Sequence, residues 1–406
     1  MTTERTTERT TDRTTDRTVP VARRVGELAR SGLFRLLAEG SGQQVIDLAL
    51  GVPGAPHTPP ELVETACAAM RDGVNQYELP DGNLALRRLI AAELPVRTDP
   101  QTELTITVGA SEGLTAAILA TVDPGDDVIV FEPYYENFIS AIALAGGVPR
   151  LVRMHPPQWR FDPAELRAAF GPRTRAVLVC TPNNPTGHVL TRAEFGEIAE
   201  LCQRWNAVVI SDEIYSTYVF DGHRHVSAVE VPSLLDRSVV LGSLSKSHAV
   251  SGWRIGYLRT GAALMGPIRQ VHQAVCGGAA APFQEAAARV AAARPGFLRP
   301  LADLGAQRDA VVSMFDELGF RCISPDGGCY TMADIRAFTD EDCESLALRL
   351  VRDAGVMVTP GKFFHSVKAE GAHLVRIAFN RQLALLDEVR HRLTSYRANH
   401  RQLTPR

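Results

Sequence analysis

Lysine is nearly missing from this chain of 406 residues: Lys246, Lys362 and Lys368 are the whole supply, against 40 arginines in a Lys+Arg total of 43. Chemistry that needs a side-chain amine therefore has three positions to choose from. Long apolar runs are missing as well. No stretch of about 18 apolar residues occurs, so no membrane-spanning helix is expected. A basic excess is absent too; the formal net charge of -3 argues against nucleic acid as the main partner, because phosphate-backbone binders carry surplus positive charge. Cysteine is sparse, with seven residues (Cys67, Cys180, Cys202, Cys276, Cys322, Cys329 and Cys343), an odd number, widely spaced and without a C-x-x-C pair. That usage fits reduced thiols in a cytoplasm better than a disulfide framework or a zinc site, and no metal centre is expected.

What is present is ordinary globular composition, 45% hydrophobic, in a chain long enough for two domains. Residues 2–17 repeat a tetrad as TTER, TTER, TTDR, TTDR, with no apolar residue before Val19. Such a segment cannot bury enough surface to offset its ordering entropy, so a disordered or transiently helical tail is expected. It lacks the apolar core of a signal peptide, and its acidic residues do not suit a transit peptide.

Beyond Pro59–Pro60, helical patterns alternate with short β-branched runs at Leu104–Val108, Asp127–Phe131, Ala176–Cys180, Ala207–Ser211, Ser238–Gly242 and Ile255–Leu258. This alternation predicts an α/β domain with a mostly parallel sheet. The last hundred residues read differently. Helices over Ala302–Leu318 and Glu341–Ala354 flank short strands near Tyr330–Ile335, Val356–Val358 and Val375–Phe379, an α+β pattern that Val45–Leu50 could join. From about Arg397 no apolar pattern remains. The expected organisation is a Thr-rich tail at 1–20, a large domain at 61–294, and a smaller discontinuous domain from 21–60 and 295–406.

Ligands in open α/β sheets bind at the carboxyl ends of the strands, and here those ends carry unusual residues. The first run ends in Gly109-Ala110-Ser111 ahead of a helix expected over Glu112–Leu119; free amides and a hydroxyl there make an anion cradle, or a plain N-cap. The second ends in Glu132-Pro133-Tyr134-Tyr135, where Tyr135 could lie on a heteroaromatic ring or simply fill space. The third ends in Thr181-Pro182-Asn183-Asn184-Pro185-Thr186-Gly187; Asn184 could donate to a ligand oxygen or serve the turn. The fourth reaches Asp212 and Tyr215, and a carboxylate after so apolar a strand is costly without a partner such as a protonated pyridine nitrogen. The fifth gives Ser243-Leu244-Ser245-Lys246, then Arg254, a natural phosphate clamp. A lysine at the end of an apolar strand should have a depressed pKa and act as an amine nucleophile. Taken together these side chains specify a ligand with a phosphate (Ser111, Ser243, Arg254), an aromatic face (Tyr135), a basic ring nitrogen (Asp212), a ring hydroxyl (Asn184, Tyr215) and an aldehyde (Lys246). Pyridoxal 5'-phosphate (PLP) has each of these parts.

Over roughly residues 45 to 395 the chain resembles the fold-type-I, class I/II PLP-dependent aminotransferases, in particular the branch of kynurenine and glutamine aminotransferases and their bacterial relatives. The likeness rests on Asn-Pro-Thr-Gly at 184–187, Ser-Asp-Glu-Ile-Tyr at 211–215, Ser-x-Ser-Lys ending at 246, Gly-Trp-Arg-Ile-Gly at 252–256 and His-Leu-Val-Arg-Ile-Ala-Phe at 373–379. The resemblance implies a mostly parallel mixed sheet sandwiched by helices, with a smaller α+β domain. It implies that Lys246 carries the cofactor as a Schiff base and shuttles the proton, with Asp212 and Tyr215 assisting. It places Ala110, Ser111, Tyr135, Asn184, Ser243 and Arg254 on the cofactor, and Gly51, Asn184 and Arg376 on the substrate. It also implies a homodimer in which Tyr77 reaches the neighbouring subunit's phosphate. The activity expected is ping-pong transfer of an amino group between an L-amino acid and a 2-oxo acid. Other PLP reactions, as a β-lyase, decarboxylase or oxidase, share these motifs. A PLP-binding transcriptional sensor would need a DNA-binding module that the first 40 residues do not provide. Two departures, Ser247-His248 after the lysine and Lys362 in Pro360-Gly361-Lys362-Phe363-Phe364-His365, fall at positions expected near the substrate. Glu78 beside Tyr77 could face a cationic substrate side chain or be a solvated loop residue.

Overall fold

The first strand, β1 (Ile46–Asp47), is only two residues long and ends just before the loop that carries Gly51. In this computed structural model, which describes residues 21–28, 32–40, 44–298 and 303–401, eight further strands form the central sheet. They are β2 (Leu104–Val108), β3 (Asp127–Glu132), β4 (Val148–His155), β5 (Arg160–Phe161), β6 (Thr174–Cys180), β7 (Val208–Asp212), β8 (Ser238–Ser243) and β9 (Ile255–Thr260). The repeat tail at 1–20 and the expected helix start at Ala302 lie outside the described residues.

The sheet order is β2-β9-β8-β7-β6-β3-β4-β5. β8, β7, β6, β3 and β4 pair in parallel, whereas β9 is antiparallel to both of its neighbours, β2 and β8. The central strands are continuous apolar runs because both faces are covered. Along β3, Val128 and Val130 join one core with Leu114, Phe138 and Ile142, while Ile129 and Phe131 join another with Leu166, Phe195 and Ile198. Helices thus lie on both faces, the expected sandwich. β4 and β5 escaped the sequence reading. β4 contains Pro149 and two arginines, which weaken a strand signal, but it lies next to the sheet edge, where proline is tolerated.

The second assembly is a four-stranded sheet of β10 (Arg321–Ile323), β11 (Tyr330–Asp334), β13 (Thr359–Pro360) and β14 (Leu374–Ala378), in the order β10-β11-β14-β13. β12 (Val356–Met357) pairs in parallel with β1, as the apolar character of Val45–Leu50 suggested. One core joins Leu36, Ile46 and Leu48 to Phe315, Phe320, Val351, Val375, Ile377 and Leu393, and Tyr215, Tyr218 and Phe220 reach it from the large sheet.

Several boundaries differ from expectation. The helix after β2 begins at Gly109 and runs through Thr121, three residues before its predicted start, because Gly109 takes φ +69° and turns the chain directly out of the strand. Lys246 sits in a short helix, Leu244–Ser247, with Ser243 as its N-cap, so the strand stops before the lysine. The predicted helix over Glu341–Ala354 is helical from Cys343 to Arg349 and continues in a π-helical turn, Leu350–Ala354. The final helix extends over Leu383–Arg401, past the point where apolar periodicity fades.

Candidate active site

The parallel strands β2, β3, β6, β7 and β8 end at one edge of the large sheet, and the antiparallel β9 begins there, which brings Arg254 alongside. Between this edge and the small sheet lies a cavity of about 450 Å³. Its lining includes Gly51, Ala110, Ser111, Tyr135, Asn184, Asp212, Tyr215, Ser243, Lys246, Arg254 and Arg376. Residues spread over 326 positions of sequence therefore share one cavity. Tyr77 does not: its side chain is 99% exposed on the surface of this chain.

Lys246 is held from both ends. Its Nζ donates to the Gly51 carbonyl at 2.8 Å, and its own carbonyl accepts from the Tyr218 hydroxyl at 3.0 Å. Burial lowers its pKa, and the cations Arg376 and Arg254 add to the effect while Cys329 and Asp212 oppose it. Asp212, at the end of β7, is 6% exposed. It accepts a 3.3 Å hydrogen bond from the Ile214 amide, and no ion pair to it occurs among the described residues. Burial raises this carboxyl to about 7, with the neighbouring Glu213 adding to the rise.

Arg376, at the middle of β14, is 4% exposed and lies between two rings, 4.1 Å from the Tyr330 centroid and 4.7 Å from that of Phe364. Its Nη1 donates to Asn184 Oδ1 at 2.8 Å and its Nη2 to the Ala49 carbonyl at 2.5 Å. Its Nε is buried without an acceptor. A guanidinium so placed, with no ion-paired carboxylate among the described residues, has the chemistry to receive an anion.

The third feature is the turn at the start of the helix Gly109–Thr121. The Gly109 amide donates to the Arg254 carbonyl at 3.0 Å, and a Cβ on Gly109 would stand 2.3 Å from Arg254 Nη2. Gly256 crosses so closely that its Cβ would meet the Gly109 carbonyl carbon at 2.5 Å. Both glycines are what allow the guanidinium to lie against the helix N-terminus, and positive charge there adds to the helix dipole. Ser243 Oγ lies 2.8 Å from Ser245 Oγ, accepts from the Ser245 amide and faces the Ile255 carbonyl.

Sequence reasoning missed several residues here. Tyr330 lines the cavity, stacks on Arg376 and has its hydroxyl 3.4 Å from that of Tyr215. Arg381 braces the Gly51 loop by donating to the carbonyls of Asp47 at 2.7 Å, Leu50 at 2.6 Å and Val52 at 2.7 Å. Thr359, Phe363 and Phe364 complete the wall. Conversely, two residues expected near the substrate side are not in the lining. His248 is fully buried, joined to Ser247 Oγ at 2.7 Å and to the Phe297 carbonyl at 2.8 Å. Lys362 turns outward to Asp342 at 2.8 Å. Burial of the imidazole and an acidic pair, Asp342 with Glu344, draw them away. Glu78 accepts from the Leu79 amide and from Asn83, also outside the lining.

Comparison with known proteins adds an independent line. The family model for aminotransferase class I and II matches residues 43–393. A probable N-succinyldiaminopimelate aminotransferase of Mycobacterium tuberculosis is 34% identical over 351 residues, covering 83% of this chain and 88% of that protein. The methionine aminotransferase of Escherichia coli is 32% identical over 346 residues, covering 84% of this chain and 89% of that one. The solved structure of N-succinyldiaminopimelate aminotransferase from Mycobacterium tuberculosis superposes with a TM-score of 0.88 at 33% identity, covering 93% of this chain and all of that one. The chain belongs to the class I and II aminotransferases, the fold-type-I enzymes that use pyridoxal 5'-phosphate.

Proposed function

We propose that the cavity around Lys246 is the catalytic site of this aminotransferase and that its residues divide the work as follows. The observation that carries this reading is the match between three unmet side-chain demands and three parts of the ligands. Asp212 is a buried carboxyl with no ion-pair partner among the described residues, which suits a protonated ring nitrogen. Arg376 has a buried Nε that lacks an acceptor, which suits an α-carboxylate. Arg254, stacked on the helix N-terminus with Ser111 and Ser243 nearby, suits a phosphate. When bound, PLP supplies an aldehyde carbon that accepts and returns the amino group and a ring that draws electrons from the donor's Cα.

The chain's own residues do the rest. Lys246 Nζ, neutral at lower pH than an exposed lysine because it is buried, would take the proton from the donor's Cα and return it on the far side of the amino nitrogen, two bonds away. Asp212 keeps the ring nitrogen protonated. Asn184 and Tyr215 would hold the ring hydroxyl, Tyr135 would cover a ring face, and Ala110 and Ser111 would offer amides to the phosphate. Arg376, with Asn184 on one side and the Gly51 loop on the other, fixes the α-carboxylate. Because the same site serves first an amino acid and then a 2-oxo acid, the kinetics are ping-pong.

The cations in the lining are Lys246, Arg254 and Arg376, and each already has a partner in this scheme. Among the described residues, apolar Leu37, Leu50, Val52, Leu114, Ile214 and Phe363 make up much of the remaining lining, and Glu136, its one acid besides Asp212, disfavours an acidic side chain. That balance favours donors with uncharged side chains, as the name of the Escherichia coli relative also suggests. We further propose a large domain at 61–294 and a small one from 21–60 and 295–406. A homodimer completes the site, with Tyr77 and Leu79, exposed at 99% and 69%, reaching a second copy.

The test combines borohydride reduction with a substrate panel. Reduction should fix PLP covalently on the Lys246 peptide, and Lys246→Ala should abolish both that adduct and turnover. Methionine, aromatic amino acids, glutamine and aspartate are then offered with a 2-oxo acid. Faster turnover of aspartate than of every neutral donor would overturn the substrate reading, and an adduct on Lys362 or Lys368 would overturn the site.

A further inference from the structure

Glu112, His272 and Cys276 lie outside the catalytic cavity, and none has a role in the chemistry above. His272 and Cys276 stand four residues apart on the helix Ala262–Cys276, so they share a face. Glu112 comes from the first turn of the helix Gly109–Thr121, 160 residues away in sequence. Their ligating atoms all lie within 4.8 Å of one another. His272 Nδ1 is 2.9 Å from Glu112 Oε2 and 3.4 Å from Cys276 Sγ.

The tautomer of His272 makes this more than a cluster. Its Nε2 lies 2.9 Å from the Pro80 carbonyl, which can only accept, so that nitrogen carries a proton. In the neutral ring Nδ1 is then a bare lone pair, and it points at a carboxylate that is also an acceptor. Two acceptors at 2.9 Å need a cation between them: a second proton on the ring, or a metal ion. Cys276 Sγ, 3.4 Å from Nδ1, donates its thiol proton to the His272 carbonyl at 3.3 Å and becomes a soft ligand once that proton leaves. The arrangement has the usual parts of a zinc site, one imidazole, one thiolate and one carboxylate, with a fourth position open to water. It also has the outer hydrogen bond, imidazole N–H to backbone carbonyl, that orients a metal-bound histidine. A bound metal would displace the thiol proton, after which glutamate and thiolate together carry two negative charges that a divalent ion neutralises. The histidine is fully buried and the cysteine exposed, so an ion would enter from the cysteine side.

We propose that Glu112, His272 and Cys276 form a three-ligand site for a soft divalent cation, zinc being the natural occupant. The bound ion would join the C-terminus of one helix to the first turn of another, next to the Pro80 turn. The ion competes with the second ring proton, so binding releases protons and weakens as pH falls.

The test uses the full-length holoenzyme, stripped with a chelator and dialysed into buffer free of thiols and phosphate. Zinc is titrated in against a chromogenic chelator, and the zinc K-edge absorption fine structure is recorded. The expected result is one zinc per chain, with one sulfur at about 2.3 Å and the remaining ligands nitrogen or oxygen. Cys276→Ser, at an exposed helix end, should keep turnover, lose the sulfur shell and bind at least tenfold more weakly. Cys67→Ser should behave as the parent. Absence of stoichiometric zinc, a zinc shell without sulfur, or equal binding by Cys276→Ser would each overturn the site and leave a protonated His272–Glu112 ion pair as its whole content.

Discussion

Replacing Asp212 with asparagine should stabilise the cofactor-free chain while destroying its catalysis. In the folded chain burial raises the Asp212 carboxyl to about 7, from an ordinary value of 3.8. Between those two values the folded state holds a proton that the unfolded state has released. Stability contributed by that proton is intact below pH 3.8 and is lost as pH rises to about 7, at about 1.4 kcal/mol per pH unit. The sum over the interval is at most about 4 kcal/mol. Asparagine is close in size and never ionises, so Asp212→Asn escapes this loss. Denaturant unfolding of cofactor-free protein should show the variant level with the parent near pH 4 and more stable by up to about 4 kcal/mol at pH 8. Because both proteins share every other titrating group, the difference between them isolates position 212. With PLP bound the gain should vanish, since the ring nitrogen then supplies the missing positive charge, and turnover should fall by orders of magnitude. A cofactor-free variant no more stable than the parent at pH 8 would refute the reasoning, because it would mean that Asp212 already has a partner or ready access to water.

A methyl group on Gly51 would stand 1.9 Å from the Tyr330 hydroxyl, so Gly51→Ala should push Tyr330 off Arg376 and raise KM for the amino donor at least tenfold, as steady-state kinetics would show. Tyr218→Phe removes the hydroxyl that donates to the Lys246 carbonyl; the loss of about 1 kcal/mol should lower kcat several-fold and leave KM nearly unchanged. Burial would raise the Glu194 carboxyl, but His188 and Thr191 hold it at about 2, below its ordinary 4.5. That stability is complete above pH 4.5 and lost as pH falls through about 2, so Glu194→Gln should cost at most about 3 kcal/mol at pH 7, with the gap closing in acid-unfolding curves.

The parts of this molecule that could be read from the sequence are those where one residue type faces one local demand. A continuous apolar run ending in a charged or hydroxyl residue marks a strand end in a buried sheet, and so Asp212, Ser243 and the neighbourhood of Lys246 stood out. The near absence of lysine did the same for Lys246. The parts that could not be read depend on approach between distant segments. Resemblance alone places Gly51 at the substrate; why the position is glycine emerges only when Tyr330 is seen to occupy the space its side chain would fill. Tyr330 in turn reads as an ordinary aromatic of an edge-to-core strand, and only the antiparallel pairing of β11 with β14 brings it beside Arg376. His248 shows the opposite failure. Its position two residues after the lysine suggested the substrate side, but a short helix turns it inward, where the Phe297 carbonyl satisfies its ring. Arg381 shows why charge alone misleads: its guanidinium donates to the backbone carbonyls of Asp47, Leu50 and Val52, so a buried arginine five residues from Arg376 braces the Gly51 loop. Local chemistry thus marks the groups that react, while the groups that hold them at the right distance emerge only from the packing of one sheet against the other.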